Sequence, residues 1–162
     1  MTKGERRTLD RSGRALSYRV FGEGATVVVL QHGWMTDGRV WDDLVAALDL
    51  GSARFVVPDL AGHGESAAPT AYSLSDLADD LLAVAKAEAK EDSFVLVGHS
   101  MSGQVASLAG AAAGGALRGL VLVTPVPVDG LPLPPDAAGL FSSSGEDRGK
   151  QGTILGLERR TG

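Results

Sequence analysis

Apolar and polar positions along this chain fall into blocks of two kinds, and the blocks alternate. Thr26-Val27-Val28-Val29-Leu30 is a continuous, β-branched run, the pattern of a parallel strand buried on both faces. Arg54-Phe55-Val56-Val57, the stretch 93–97 and Leu120-Val121-Leu122-Val123 repeat it. Leu16-Ser17-Tyr18-Arg19-Val20 alternates instead, which predicts a half-exposed strand. Between these runs the period lengthens. Trp41, Leu44, Val45 and Leu48 follow the i, i+3, i+4, i+7 spacing, so 38–50 reads as an amphipathic helix. Leu74, Leu77, Ala78, Leu81 and Ala85 mark a second helix face, opened by Ser73-Leu74-Ser75-Asp76 in the manner of a capping box. An Ala-rich stretch predicts a third helix over 101–113, with the glycines of 110–116 signalling its C-terminus. Strands alternating with helices predict an α/β fold: a mostly parallel open sheet with helices on both faces.

From Thr124 the character changes. Pro125, Pro127, Pro132, Pro134 and Pro135 crowd together with Asp129 and Gly130, which reads as a loop leaving the sheet. The stretch 139–162 is polar and Gly-rich, with Ile154, Leu155 and Leu157 as its late apolar cluster and a possible short helix. The expected division is therefore 1–124, the sheet core, and 125–162, a Pro/Gly-rich exit.

Composition narrows the classes of function. The 162 residues carry a net charge of −5 and no basic stripe; Arg6-Arg7 and Arg159-Arg160 read as solvated pairs near the ends, which argues against nucleic acid as a partner. There is no cysteine, so disulfides, thiolate zinc sites and thiol catalysis are excluded. The longest apolar runs, such as 25–30, are too short to span a bilayer, and the polar start does not resemble an export signal. A cytoplasmic location without membrane partners is the expectation.

The chemistry concentrates in Gly98-His99-Ser100-Met101-Ser102-Gly103. An apolar strand leads in and a helix leads out, so Ser100 lies on a sharp strand–helix turn. There it is exposed, at the positive end of a helix dipole, beside a backbone N–H able to receive an oxyanion. A serine hydroxyl acting as nucleophile needs a base. The three histidines are His32, His63 and His99, and none follows Ser100. Two further segments follow buried strands: Gln31-His32-Gly33-Trp34, and Asp59-Leu60-Ala61-Gly62-His63-Gly64-Glu65-Ser66. All three stand at the carboxyl ends of strands, where open α/β sheets place their sites.

With these three motifs in this order, the chain resembles the α/β-hydrolase superfamily, most closely its small cap-bearing bacterial serine esterases. The likeness covers residues 8–125 well and the exit to Asp136 loosely. The resemblance implies that Ser100 is the nucleophile of a Gly-x-Ser-x-Gly elbow, with Ser102 replacing the second glycine, a mild departure because serine is also small. It implies an oxyanion hole from the backbone N–H groups of Trp34 and Met101. It makes His32 an organiser of its loop, and it makes Asp59 and His63 parts of a structural turn whose glycines allow positive φ. His99 packs beside the sheet. Asp129 is either a triad acid, since some members carry the acid after this strand, or simply the Asp of a favoured Asp-Gly turn.

The family order is serine, acid, histidine. The resemblance therefore implies an N-terminal portion of such a hydrolase: a C-terminally incomplete sheet, with 125–162 beginning a cap and the base beyond Gly162. The implied activity is cleavage of a small-molecule ester or related acyl bond through an acyl-enzyme on Ser100, without cofactor or metal. Serine rather than aspartate at this position argues against haloalkane dehalogenase or epoxide hydrolase chemistry. This chain alone would be weak or inactive. The alternative is a non-catalytic, degenerate domain that serves as a binding or partner subunit. An open sheet edge at 120–123 implies self-association or a complementing chain.

Overall fold

A computed structural model describes residues 4–48, 51–90, 93–130, 132, 134–143, 149–150 and 153–154. Six strands form one sheet: β1 (Glu5–Arg11), β2 (Arg14–Phe21), β3 (Thr26–Gln31), β4 (Ala53–Pro58), β5 (Phe94–His99) and β6 (Leu117–Val123), in the order β1-β2-β4-β3-β5-β6. β4, β3, β5 and β6 run parallel, while β1–β2 and β2–β4 are antiparallel. Helices α2 (Leu74–Ala89) and α3 (Ser102–Ala113) bury Leu77, Leu81, Val84, Val105 and Ala109 against Val27, Val29, Val56, Phe94 and Leu96. Alternate strand residues point the other way: Leu30, Phe55, Val57 and Val97 pack with Trp41 and Val45 of a 3-10 turn (Gly38–Trp41) and helix α1 (Asp42–Ala47). A mostly parallel open sheet with helices on both faces is what the alternation of periods predicts. Ser73 caps α2 as read, its Oγ accepting from Asp76 N at 3.0 Å, and Gly114 ends α3 at φ 59.

Four details correct the sequence reading. The first is β1, whose single strongly apolar residue, Leu9, gives no recognisable strand pattern. It is a sheet edge, and charge on an edge strand discourages further pairing. Arg6 and Arg7 are accordingly not loose tails: Arg6 pairs with Glu65, and Arg7 meets buried Glu88 through Oε1 at 3.0 Å and Oε2 at 2.8 Å. Tyr18 also donates to Glu88, and burial together with that carboxylate pushes its hydroxyl up to about 12. Arg159-Arg160 lie outside the described residues.

Second, β2 is not half-exposed; Leu16, Ser17, Tyr18 and Val20 are all buried, because β1 and α2 cover it. Third, the helix expected over 38–50 is a 3-10 turn followed by a six-residue α-helix, and of its expected stripe only Trp41 and Val45 are buried. Asp37 caps the 3-10 turn by accepting from Arg39 N, so the chain tightens before α1 begins.

Fourth, the Pro-rich loop ends in a helix that the sequence pattern does not signal: α4 (Pro135–Ser142) starts with Pro135 in its first turn, where the missing N–H costs nothing. Residues Met1–Val128 form one compact unit and Asp129–Gly162 a second. Of the late apolar cluster, Leu155 and Leu157 lie outside the described residues.

β6 closes one side of the sheet. It pairs with β5, and Leu120, Val121, Leu122 and Val123 remain 36–48% exposed. Among the described residues no helix is long and apolar enough to cross a membrane.

Candidate active site

The carboxyl ends of β3, β4 and β5 bring the three motifs together. Ser100 stands between β5 and α3 at φ 56, a left-handed conformation that costs a non-glycine residue on the order of 1–3 kcal/mol. Its backbone is clamped in this state. Ser100 N donates to Val123 O at 3.0 Å, and Gly103 N and Val126 N donate to Ser100 O at 2.9 and 3.1 Å. The turn is tight enough to require Gly98: a Cβ there would lie 2.8 Å from Ala106 Cβ and inside contact distance of the Ser102 carbonyl. Met101 follows with helical angles, φ −51 and ψ −37, at the mouth of α3.

The loop after β3 passes directly beside the serine. A Cβ added to Gly33 would sit 3.0 Å from Ser100 Cβ, so only glycine fits without displacing the elbow. Trp34 follows on the turn, 38% exposed, and Met35 is held at φ 60.

His32 organises this loop. It is fully buried. Leu60 N donates to His32 Nε2 at 2.9 Å, and an amide N–H can only donate, so Nε2 is the unprotonated nitrogen. Nδ1 then carries the proton and donates to Gly33 O at 2.7 Å. Thr36 Oγ1 donates to the same carbonyl at 3.0 Å. Both ring nitrogens are thereby used within the loops after β3 and β4.

Burial pushes the His32 pKa below the ordinary histidine range, and neighbouring His63, 5.5 Å away between ring centroids, acts in the same direction. Gly33 O, Asp59 and Asp37 oppose it without reversing it. The unfolded chain therefore binds a proton at about pH 6.5 that the folded chain refuses. Stability is fully present above that pH and falls as the pH drops from about 6.5 to the lowered folded value, with a slope of at most about 1.4 kcal/mol per pH unit. In an NMR titration the His32 Hε1 resonance should not yet have moved halfway at pH 6.5; a midpoint at or above that pH would contradict this assignment.

The Asp59–Ser66 segment is the structural turn the resemblance implies. Asp59 Oδ1 accepts from Gly38 N at 2.9 Å and Oδ2 from Glu65 N at 3.0 Å. Gly62 and Gly64 stand at φ 74 and 53. Ser66 Oγ accepts from Ser17 N and donates to Asp59 O, both at 2.8 Å. His63 Nδ1 lies 3.1 Å from Ala61 O. His99 packs on the opposite side, its ring edge-on to Trp41 at 6.3 Å, with Nδ1 buried and without a hydrogen-bond partner. Asp129 is exposed, next to Gly130 at φ 83, at the start of the second unit.

One contact was not foreseen. Ser102, read as merely small, is fully buried, and its Oγ donates to His32 O at 2.6 Å. Serine in place of the elbow's second glycine was the visible signal, but its partner lies 70 residues away and only the folded sheet brings the two together.

Residues 27–160 match the alpha/beta hydrolase family. The chain belongs to that family. This corrects the extent expected from sequence: the likeness is not an N-terminal portion that fades after 125 but runs through the Pro-rich exit and covers nearly the whole chain. A Pro/Gly-rich stretch has little periodicity, so the motifs alone could not follow it there.

Among curated relatives, a pimeloyl-[acyl-carrier protein] methyl ester esterase of Pectobacterium carotovorum subsp. carotovorum (strain PC1) is 39% identical over 92 residues, 57% of this chain and 34% of that protein. Non-heme chloroperoxidase CPO-A1 of Kitasatospora aureofaciens is 34% identical over 119 residues, 72% of this chain and 42% of that protein. The chain thus spans about a third to two fifths of the length of these relatives. Among solved structures, a bromoperoxidase from Bacillus anthracis superposes with a TM-score of 0.72 at 25% identity, over 90% of this chain and 56% of that one.

Proposed function

We propose that this chain carries a serine esterase site with Ser100 as its nucleophile. The hydroxyl of Ser100 attacks the carbonyl of a small-molecule ester or related acyl compound, and the backbone N–H groups of Trp34 and Met101 receive the oxyanion. The observation that carries this reading is Ser100 at φ 56, on a strand–helix turn clamped by three backbone hydrogen bonds. Strain held by such a clamp at a half-buried serine on this turn aims a nucleophile. The curated esterase relative supports an ester as the substrate class. No cofactor enters the reading. Asp129 is the candidate acid, and the segment from 125 onward is read as the beginning of a cap region.

None of the three histidines is taken as the base. His32 has both nitrogens committed, His63 Nδ1 faces Ala61 O, and the His99 ring packs edge-on to Trp41 with Nδ1 buried beside Gly33. The test is slow phosphorylation by diisopropyl fluorophosphate, read by peptide mass spectrometry. Ser100 Oγ bonds to phosphorus as fluoride leaves, and the hydroxyl proton passes to solvent. Modification confined to Ser100 supports the reading; preferential labelling of other serines, or none, removes it.

The exposed β6 edge carries a second reading, of association between copies of this chain. β6 is apolar on both faces with Arg118 as its single charge, in contrast with charged β1 at the opposite edge. An edge of this kind is a template for pairing. Sedimentation should show dimers or larger species that dissociate when Val121→Lys places a charge on the edge. A wild-type monomer at high concentration would refute it.

A further inference from the structure

We infer that Ser102 is a positioning residue of the oxyanion loop, its hydroxyl holding the His32 carbonyl so that the peptide planes leading to Trp34 are fixed relative to the elbow. The inference rests on the serine-esterase reading above.

The parallel ladder between β3 and β5 ends at the pair Gln31 and Gly98. One residue further, the His32 carbonyl is buried and beyond the ladder, and a buried carbonyl left without a donor is costly. Ser102 Oγ supplies that donor at 2.6 Å. Steric demand at this position would be met equally by glycine, so the hydroxyl is not explained by the closeness of strand and helix.

The next plane is held separately. Gly33 O accepts from His32 Nδ1 at 2.7 Å and from Thr36 Oγ1 at 3.0 Å. In a planar trans peptide the N–H points opposite to the C=O, so holding Gly33 O directs the Trp34 N–H. Two consecutive planes, 32–33 and 33–34, are thus pinned on either side of Gly33, the most permissive residue in the loop. Ser102 also immediately follows Met101. One side chain therefore ties the segment bearing the first oxyanion donor to the loop bearing the second. Preorganised donors avoid reorganisation when charge develops, and that is what such a tie secures.

The experiment compares wild type, Ser102→Ala and Ser102→Gly in the full chain. The rate of Ser100 phosphorylation by diisopropyl fluorophosphate is measured well below each melting temperature, alongside the amide spectrum of Trp34. Both variants should lose roughly ten- to a hundredfold in rate, as expected for donors displaced by a fraction of an ångström to about one ångström, and the Trp34 amide should shift. A variant that melts lower yet reacts at the wild-type rate with an unmoved Trp34 amide overturns the inference and leaves Ser100 as nucleophile. Absence of reaction at Ser100 in wild type removes the esterase reading and this inference with it. Should neither variant fold, the wild-type Ser102 hydroxyl proton decides: a slowly exchanging resonance in contact with His32 supports the tie, and its absence overturns it.

Discussion

The 162-residue polypeptide is expected to hydrolyse p-nitrophenyl acetate barely above the buffer rate. Removing the base of a serine triad costs on the order of a millionfold, leaving about a thousandfold over water from the oxyanion hole and binding. The expectation follows from where the three histidines are. Protonating His32 would expel the Leu60 N–H from Nε2 and charge a fully buried ring. The His63 ring is tilted against that of His32, and its Nδ1 faces Ala61 O. His99 is adjacent to Ser100 in sequence, and its ring packs edge-on to Trp41 with Nδ1 buried. The check is a steady-state assay of wild type, Ser100→Ala and His99→Ala. Turnover at ordinary esterase rates, abolished by both substitutions, would make His99 the base and reverse its assignment as a packing residue.

The second large effect is on stability. Gly98→Ala should destabilise the chain by on the order of 3 kcal/mol, or prevent folding, because its Cβ has nowhere to go. Its neighbours would be the backbone of Ser102 and the Cβ of Ala106 at 2.8 Å, neither of them a flexible side-chain end. Relief requires α3 to move away from β5, which would also tilt Ser100 and Met101. Gly119→Ala on β6 is the internal control. A Cβ there would meet only Val95 methyls at 3.7 and 3.8 Å, which is ordinary contact. Its effect should stay within about 0.5 kcal/mol. Urea denaturation distinguishes the two, and equal midpoints would mean that the strand–helix approach is looser than the geometry indicates.

By itself the sequence determined the parallel core, the two-faced covering by helices and the three loops at the carboxyl ends of β3, β4 and β5. β3, β4, β5 and α2 are legible because burial on both faces of a strand, or on one face of a helix, imposes a period that polar residues would break. The serine turn and the Asp59–Ser66 turn are legible because their glycines are required by backbone geometry, at Gly98 by contact and at Gly62 and Gly64 by positive φ. Tertiary structure decided what periodicity cannot carry. β1 is a strand because Arg7 and Arg11 find Glu88 and Asp80 on α2, partners invisible along the chain. Leu44 and Leu48 are apolar yet exposed, since the chain tightens into a 3-10 turn before α1. Ser102 reads as a small residue until the sheet closes and puts the His32 carbonyl within 2.6 Å of its hydroxyl. A hydrogen bond between residues 70 positions apart has no local sequence signature, because its geometry exists only once β3 and β5 pair.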